Sequence, residues 1–120
     1  MDIFKLLEQA DFETEVRQSW IAVFDRRPEF RSSFGTSRLG KVQDDRFYIT
    51  PSALSTAAEI LIKDAGLELR HLLSRDSTRD ATYPGFELAG HTEQEMEAFV
   101  AILRHVINSH INKPTESTAC

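Results

Sequence analysis

The chain has 120 residues, 41% of them hydrophobic and 28% charged, with a formal net charge of −5 and one cysteine, Cys120. That length carries one domain with a radius of gyration of roughly 14 Å, and the composition is that of a globular core rather than a disordered tail. A single cysteine excludes an intramolecular disulfide framework and a cysteine-built zinc site, and the acidic balance argues against nucleic acid or an anionic membrane surface as the main partner.

The start, Met1 to Glu8, has neither the basic opening nor the long apolar run of a signal peptide. No segment approaches the roughly 18 consecutive apolar residues of a membrane span. A cytoplasmic protein without membrane contact is expected. Ile3, Phe4, Leu6 and Leu7 form a short apolar set. Phe12, Val16, Trp20, Val23 and Phe24 then recur at helical spacing, with Asp11 as the N-cap between the two sets and Pro28 as a stop. From Ser32 to Asp45, small and polar residues with Gly35 and Gly40 erase the helical stripe. Val42 and Phe47-Tyr48-Ile49 flank a turn at Gln43-Asp44-Asp45-Arg46, which reads as two short strands.

Thr50 and Pro51 open the next helix as N-cap and first residue, Leu54, Ala57, Ala58, Leu61 and Ala65 mark its buried face, and Gly66 closes it in the left-handed conformation. Leu67 to Leu73 alternates with period two, as a strand does. Ser74 to Asp80 is a polar loop, Tyr83-Pro84-Gly85 a turn, and Phe86 to Ala89 a short strand. Thr92 and Glu95 make a capping box for a last helix, whose core stripe is Met96, Phe99, Val100, Leu103, Val106 and Ile107. The expected fold is α+β: a small antiparallel sheet of two to four short strands against three or four helices, with an all-α bundle as the alternative. Residues 1–113 form the domain and 114–120 a tail.

Charge is unevenly placed. Residues 1–25 carry net −4, 26–46 net +3, 47–80 net −1 and 81–120 net −3. The basic middle consists of Arg26, Arg27, Arg31, Arg38, Lys41 and Arg46, mostly arginines suited to carboxylate or phosphate. Within it, Gly35-Thr36-Ser37-Arg38-Leu39-Gly40-Lys41 satisfies seven positions of a phosphate-binding loop. The eighth is Val42 instead of the Ser or Thr that would hold magnesium, and no helix is expected to follow. His105 and His110 are five residues apart, about 140° around a helix, and share no ligand face. His71 sits in an alternating apolar run, and His91 is expected to be exposed. No Gly-x-Ser-x-Gly elbow occurs, and Cys120 lies in the tail. No catalytic set, metal site or cofactor motif emerges, so a binding protein is expected rather than an enzyme. Trp20 and Phe24 are assigned to packing on the sheet, with an interface as the alternative.

A small, acidic, cysteine-poor chain of this kind resembles bacterial immunity proteins and antitoxins, which occlude the active site of a toxin. The resemblance implies a basic protein partner, toxin or effector, met by Asp11, Glu13 and Glu15 on an acidic N-terminal helix or by Glu93, Glu95 and Glu97. The order helix, strands, helix, strands, helix is also similar to type III secretion chaperones, homodimers that hold an apolar segment of an export substrate. A third reading is a small enzyme or ligand-binding domain that takes an anionic metabolite near Arg38, Lys41 and His71.

Overall fold

The structure is a computed structural model and describes residues 3–74 and 81–111. In chain order the elements are α1 (Ile3–Gln9), β1 (Glu13–Val16), β2 (Ile21–Phe24), α2 (Pro28–Phe34), β3 (Arg38–Gln43), β4 (Arg46–Ile49), α3 (Ser52–Asp64), β5 (Arg70–Ser74), β6 (Ala81–Glu87) and α4 (Glu93–Ile111). All strand pairs are antiparallel, in the order β1-β2-β3-β4-β6-β5. The fold is α+β as expected, with six strands in place of two to four, and the all-α alternative is set aside. The radius of gyration, 14.4 Å, is that of a single domain of this length. The expected tail at 114–120 lies outside the described residues, as does the expected loop from Ser74 to Asp80 apart from Ser74 itself, which ends β5.

The largest departure is at residues 12–24, where a β-hairpin replaces the expected helix. Phe12, Val16, Trp20 and Phe24 are four apart, and four is also a multiple of the strand period, so the spacing fits both structures. The β-branched residues Thr14, Val16, Ile21 and Val23 favour the extended form. The Arg17 N–H donates to the Trp20 carbonyl at 2.8 Å across the connection between β1 and β2 at residues 17–20. Asp11 is therefore no N-cap; it leaves α1 in the left-handed conformation with φ 67°. Pro28 opens a helix instead of stopping one, since a first-turn proline sacrifices no helical hydrogen bond. The expected turn at Tyr83-Pro84-Gly85 is instead part of β6.

The β3–β4 hairpin is where the sequence places it. Asp44 and Asp45 both have positive φ, 54° and 59°, the pair of left-handed residues that a tight two-residue hairpin requires. Register partners Val42, Phe47 and Phe86 share one sheet face and point into the core. Val23 pairs with Gly40 but Phe24 pairs with Arg38, a bulge that turns the intervening Leu39 into the core as well. All four helices contribute to that single core, and α4 packs against α1, α2 and α3.

In α4 the expected stripe of six residues is buried throughout. Its capping box is complete: the Thr92 N–H donates to the Glu95 carboxylate at 2.7 Å, and the Glu95 N–H donates to Thr92 Oγ1 at 3.1 Å. Pro51 is the N-cap of α3, one residue past the expected Thr50, and Gly66 has φ 84° beyond its end.

Candidate functional site

The buried face of α3 is Leu54, Ser55, Ala58 and Ile62. Ala57 and Leu61, assigned to the core from their spacing, are exposed, as is Ala65. The helix carries two apolar stripes, and the expected face mixed members of both. The second stripe consists of Ala53, Ala57, Ile60 and Leu61, which fall within about 100° of one another around the axis. It faces outward, with Ile60 at 66% and Leu61 at 37% exposure. Beyond α3 the chain runs through Leu67 and Leu69, both buried, into β5, which lies at one end of the sheet order. An exposed apolar helix face is thus followed directly in the chain by a strand that no further strand pairs with among the described residues.

The opposite edge is β1. All four of its residues are exposed, with Val16 at 79%. Between α1 and β1 runs a groove of about 610 Å³ lined by Phe4, Lys5, Glu8, Phe12, Glu13 and Thr14. Its floor is the buried Phe12 ring and its wall the half-buried Phe4. The groove therefore offers aromatic surface beside a strand edge that is unpaired among the described residues.

The outer face of the sheet holds the third feature. Register places Glu15, Ala22, Lys41, Tyr48 and Gly85 in one row across β1, β2, β3, β4 and β6. Lys41 is 6% exposed, and its Nζ lies 5.5 Å from the centres of both the Trp20 and Tyr48 rings. Arg38 and Arg17 also approach the Trp20 ring, at 5.0 and 5.9 Å. Arg26 lies 3.9 Å over Phe24. Aromatic faces attract cations, which allows a buried ammonium such as that of Lys41 to be held against two rings. Trp20 and Phe24 do pack on the sheet, but on its outer side, among charges.

The acidic residues singled out from sequence fall into two separate places. Glu13 and Glu15 stand on β1, not on a helix. Glu15 pairs with Arg17 at 2.9 Å and with Arg26 at 3.4 Å, Glu13 approaches Arg26 at 3.7 Å, and Asp11 pairs with Arg104 at 3.3 Å. At the start of α4, Glu95 is engaged in the capping box, and Glu93 and Glu97 are exposed. The expected acidic helix at the N-terminus is thus a set of ion pairs around an edge strand.

The basic residues are also divided. Arg27 turns to the buried Asp25, with Nη2 to Oδ2 at 2.6 Å and Nε to Oδ1 at 2.9 Å, and its Nη1 donates to Asn108 at 3.0 Å. The hydrogen bond to Asp25 raises the Arg27 pKa further above its ordinary value, against the smaller opposing effect of burial, so this guanidinium stays charged. Asp25 and Arg27 line a cleft of about 420 Å³ together with Asp11, Glu13, Arg26 and Arg104, whose charges are already matched. Arg46 pairs with Glu87 at 2.7 Å, and hydrogen bonds to Glu87 and then Tyr48 raise its pKa. Arg31 is exposed on α2. Arg38 and Lys41 remain together, beside Trp20.

The segment Gly35 to Lys41 caps α2 and runs into β3, so no helix opens over it as a phosphate-binding loop demands. His71 is on β5, three strand spacings or about 14 Å from β3, so Arg38, Lys41 and His71 do not converge on one cleft. His91 is half-buried, not exposed: its ring stacks 4.3 Å from Phe86, and its Nδ1–H donates to the Glu87 carbonyl. His105 is exposed, and His110 stacks 4.6 Å from Phe34. Cys120 lies outside the described residues. No helix among the described residues is long and apolar enough to cross a membrane.

The second stripe of α3 and the Arg17–Trp20 contact are the features that sequence reasoning missed. The stripe has a signal, since Ala53, Ala57, Ile60 and Leu61 also recur at helical spacing. Compared with known proteins, the chain matches no family, no curated protein and no solved structure.

Proposed function

We propose that this chain is a homodimeric chaperone-like protein of the cytoplasm that holds an apolar segment of a partner protein. The observation that carries this reading is the outward stripe Ala53, Ala57, Ile60 and Leu61 on α3, next in the chain to β5, the terminal strand of the sheet among the described residues. A single two-fold interface would cover both features, helix against helix and edge against edge. Small residues at 53 and 57 let two helices approach closely, and Ile60 and Leu61 supply apolar area.

The groove between α1 and β1 then serves as the holding site. An extended segment adds to the β1 edge through backbone hydrogen bonds and lays its apolar side chains beside Phe4, Phe12 and Val16. Neutralisation of a basic toxin through Asp11, Glu13 and Glu15 has less support, because these carboxylates are already paired within the chain, which leaves only the exposed Glu93 and Glu97 for that role. Light scattering tests the dimer. The expected mass is twice the 13.7 kDa of the chain. The double substitution Ile60→Glu and Leu61→Glu is expected to give a monomer with an unchanged circular dichroism spectrum, since neither residue belongs to the core. A wild-type monomer at about 100 μM contradicts the proposal.

A further inference from the structure

We infer, on the basis of the groove's role as the holding site, that the segment held between α1 and β1 adds antiparallel to β1. On the side facing the groove it carries an acidic residue, then an apolar one, then a basic one. β1 is the terminal strand of the sheet among the described residues, and all four of its residues are exposed. Residues opposite each other in an antiparallel pair alternate between exchanging hydrogen bonds and making none. The Arg17 N–H bonds across to Trp20, so Glu15 and Glu13 bond to Ala22 and Phe24, and the N–H and C=O groups of Thr14 and Val16 point away from β2. Those are the groups that an added strand meets.

The two sides of such a strand face different surfaces. Phe12, Thr14 and Val16 share the face of Val23, which is in the core, so the alternate residues of the segment directed that way lie over the groove, beside Phe12 and Phe4. The residues between them pass Glu13 and Glu15, whose charges are matched by Arg26 and Arg17. The rim on α1 is different. Lys5 and Glu8 both line it, both are exposed, and neither makes an ion pair among the described residues. α1 and β1 are joined through residues 10–12 and run in opposite senses, with the Phe12 N–H donating to the Leu7 carbonyl at 2.9 Å. Glu8 therefore stands at the start of β1, and Lys5 about 4.5 Å along the helix axis towards its end. Charge complementarity then orders the occupant. A strand antiparallel to β1 passes Lys5 first and Glu8 last, so an acidic residue precedes the apolar one and a basic residue follows it. The antiparallel sense is that of every strand pair in the sheet, and it is the more stable per residue.

Three short fluorescein-labelled peptides test this order, each with a central isoleucine among threonines. One has glutamate two positions before the isoleucine and lysine two after, the second has the reverse order, and the third has glutamine at both places. Each is titrated against the full chain by fluorescence anisotropy at low ionic strength. The first is expected to bind at least about threefold tighter than the second, the scale of two exposed ion pairs, with the third between them and the differences lost in high salt. In the double variant Lys5→Glu and Glu8→Lys, which changes only exposed side chains, the preference is expected to invert. Equal affinities of the three, tighter binding of the second, or a preference unchanged in the double variant would overturn the inference and leave the groove as the holding site. Failure of all three to bind would overturn both.

Discussion

Replacing Phe99 with alanine is expected to remove about 3–5 kcal/mol of folding stability, the usual cost of truncating a buried phenylalanine. Phe99 is 0% exposed. Its ring lies parallel to that of Phe86 at 4.1 Å between centres and meets the edge of Phe47 at 5.2 Å. His91 extends the column beyond Phe86 at 4.3 Å. Truncation therefore empties the layer where α4 meets β4 and β6, and the flanking rings are fixed by strand pairing and cannot collapse into the space. A domain of this size has about 5–15 kcal/mol in total, so the variant loses a large share of its margin. Urea denaturation measures the change. A loss below about 1 kcal/mol would mean that the layer relaxes freely and that the column is not a fixed part of the core.

The second large effect is at Gly40. A β-carbon there would press on the backbone carbonyl oxygen of Tyr48, far inside van der Waals contact, and would lie 2.9 Å from Phe47 Cε1. The first obstacle is backbone in the paired strand and the second a ring locked in the core, so neither yields cheaply. Gly40→Ala is expected to cost roughly 3 kcal/mol, the upper range for overpacking, although alanine is a small residue with no polar group to bury. The same substitution at Gly35 meets no atom within 4 Å and is penalised only by its φ of 76°. Comparing the two denaturation midpoints separates crowding from backbone strain. Equal losses would contradict close approach as the reason for glycine at position 40.

Much of the fold is legible in the sequence where local signals agree. The capping box and the six-residue stripe of α4 specify that helix, and Asp44-Asp45 between apolar runs specifies the β3–β4 hairpin. The β1–β2 hairpin is hidden because a spacing of four satisfies helix and strand alike, and the connection at residues 17–20 has no glycine or proline to mark it. The six-stranded sheet follows from that error, since reading the hairpin as helix removes two strands. The face of α3 is ambiguous for a different reason: two apolar stripes share one helix, and only packing against α4 decides which is buried.

The surfaces were less legible than the core. The net charges by segment are correct, and an acidic start followed by a basic middle suggests that the two pair; the structure shows that pairing at Arg26 with Glu13 and Glu15, across a hairpin and not against a helix. Glu13, Glu15 and Arg26 become neighbours only through the hairpin register. Of six basic residues grouped by sequence, Arg27 is drawn away to Asp25 and Arg46 to Glu87. Arg38 and Lys41 stay together because they flank a bulge and reach the same indole.

The claim on which the proposed function rests is that the outward stripe of α3 is covered by a second copy of the chain. Maleimide labelling of an Ala57→Cys variant, with Cys120 replaced by serine, reads that burial directly. Ala101→Cys on the exposed side of α4 serves as the reference. The account predicts labelling at position 57 at least about tenfold slower than at position 101 at high protein concentration, with the difference vanishing on dilution as the dimer dissociates. Equal rates at the two positions at every concentration would contradict it.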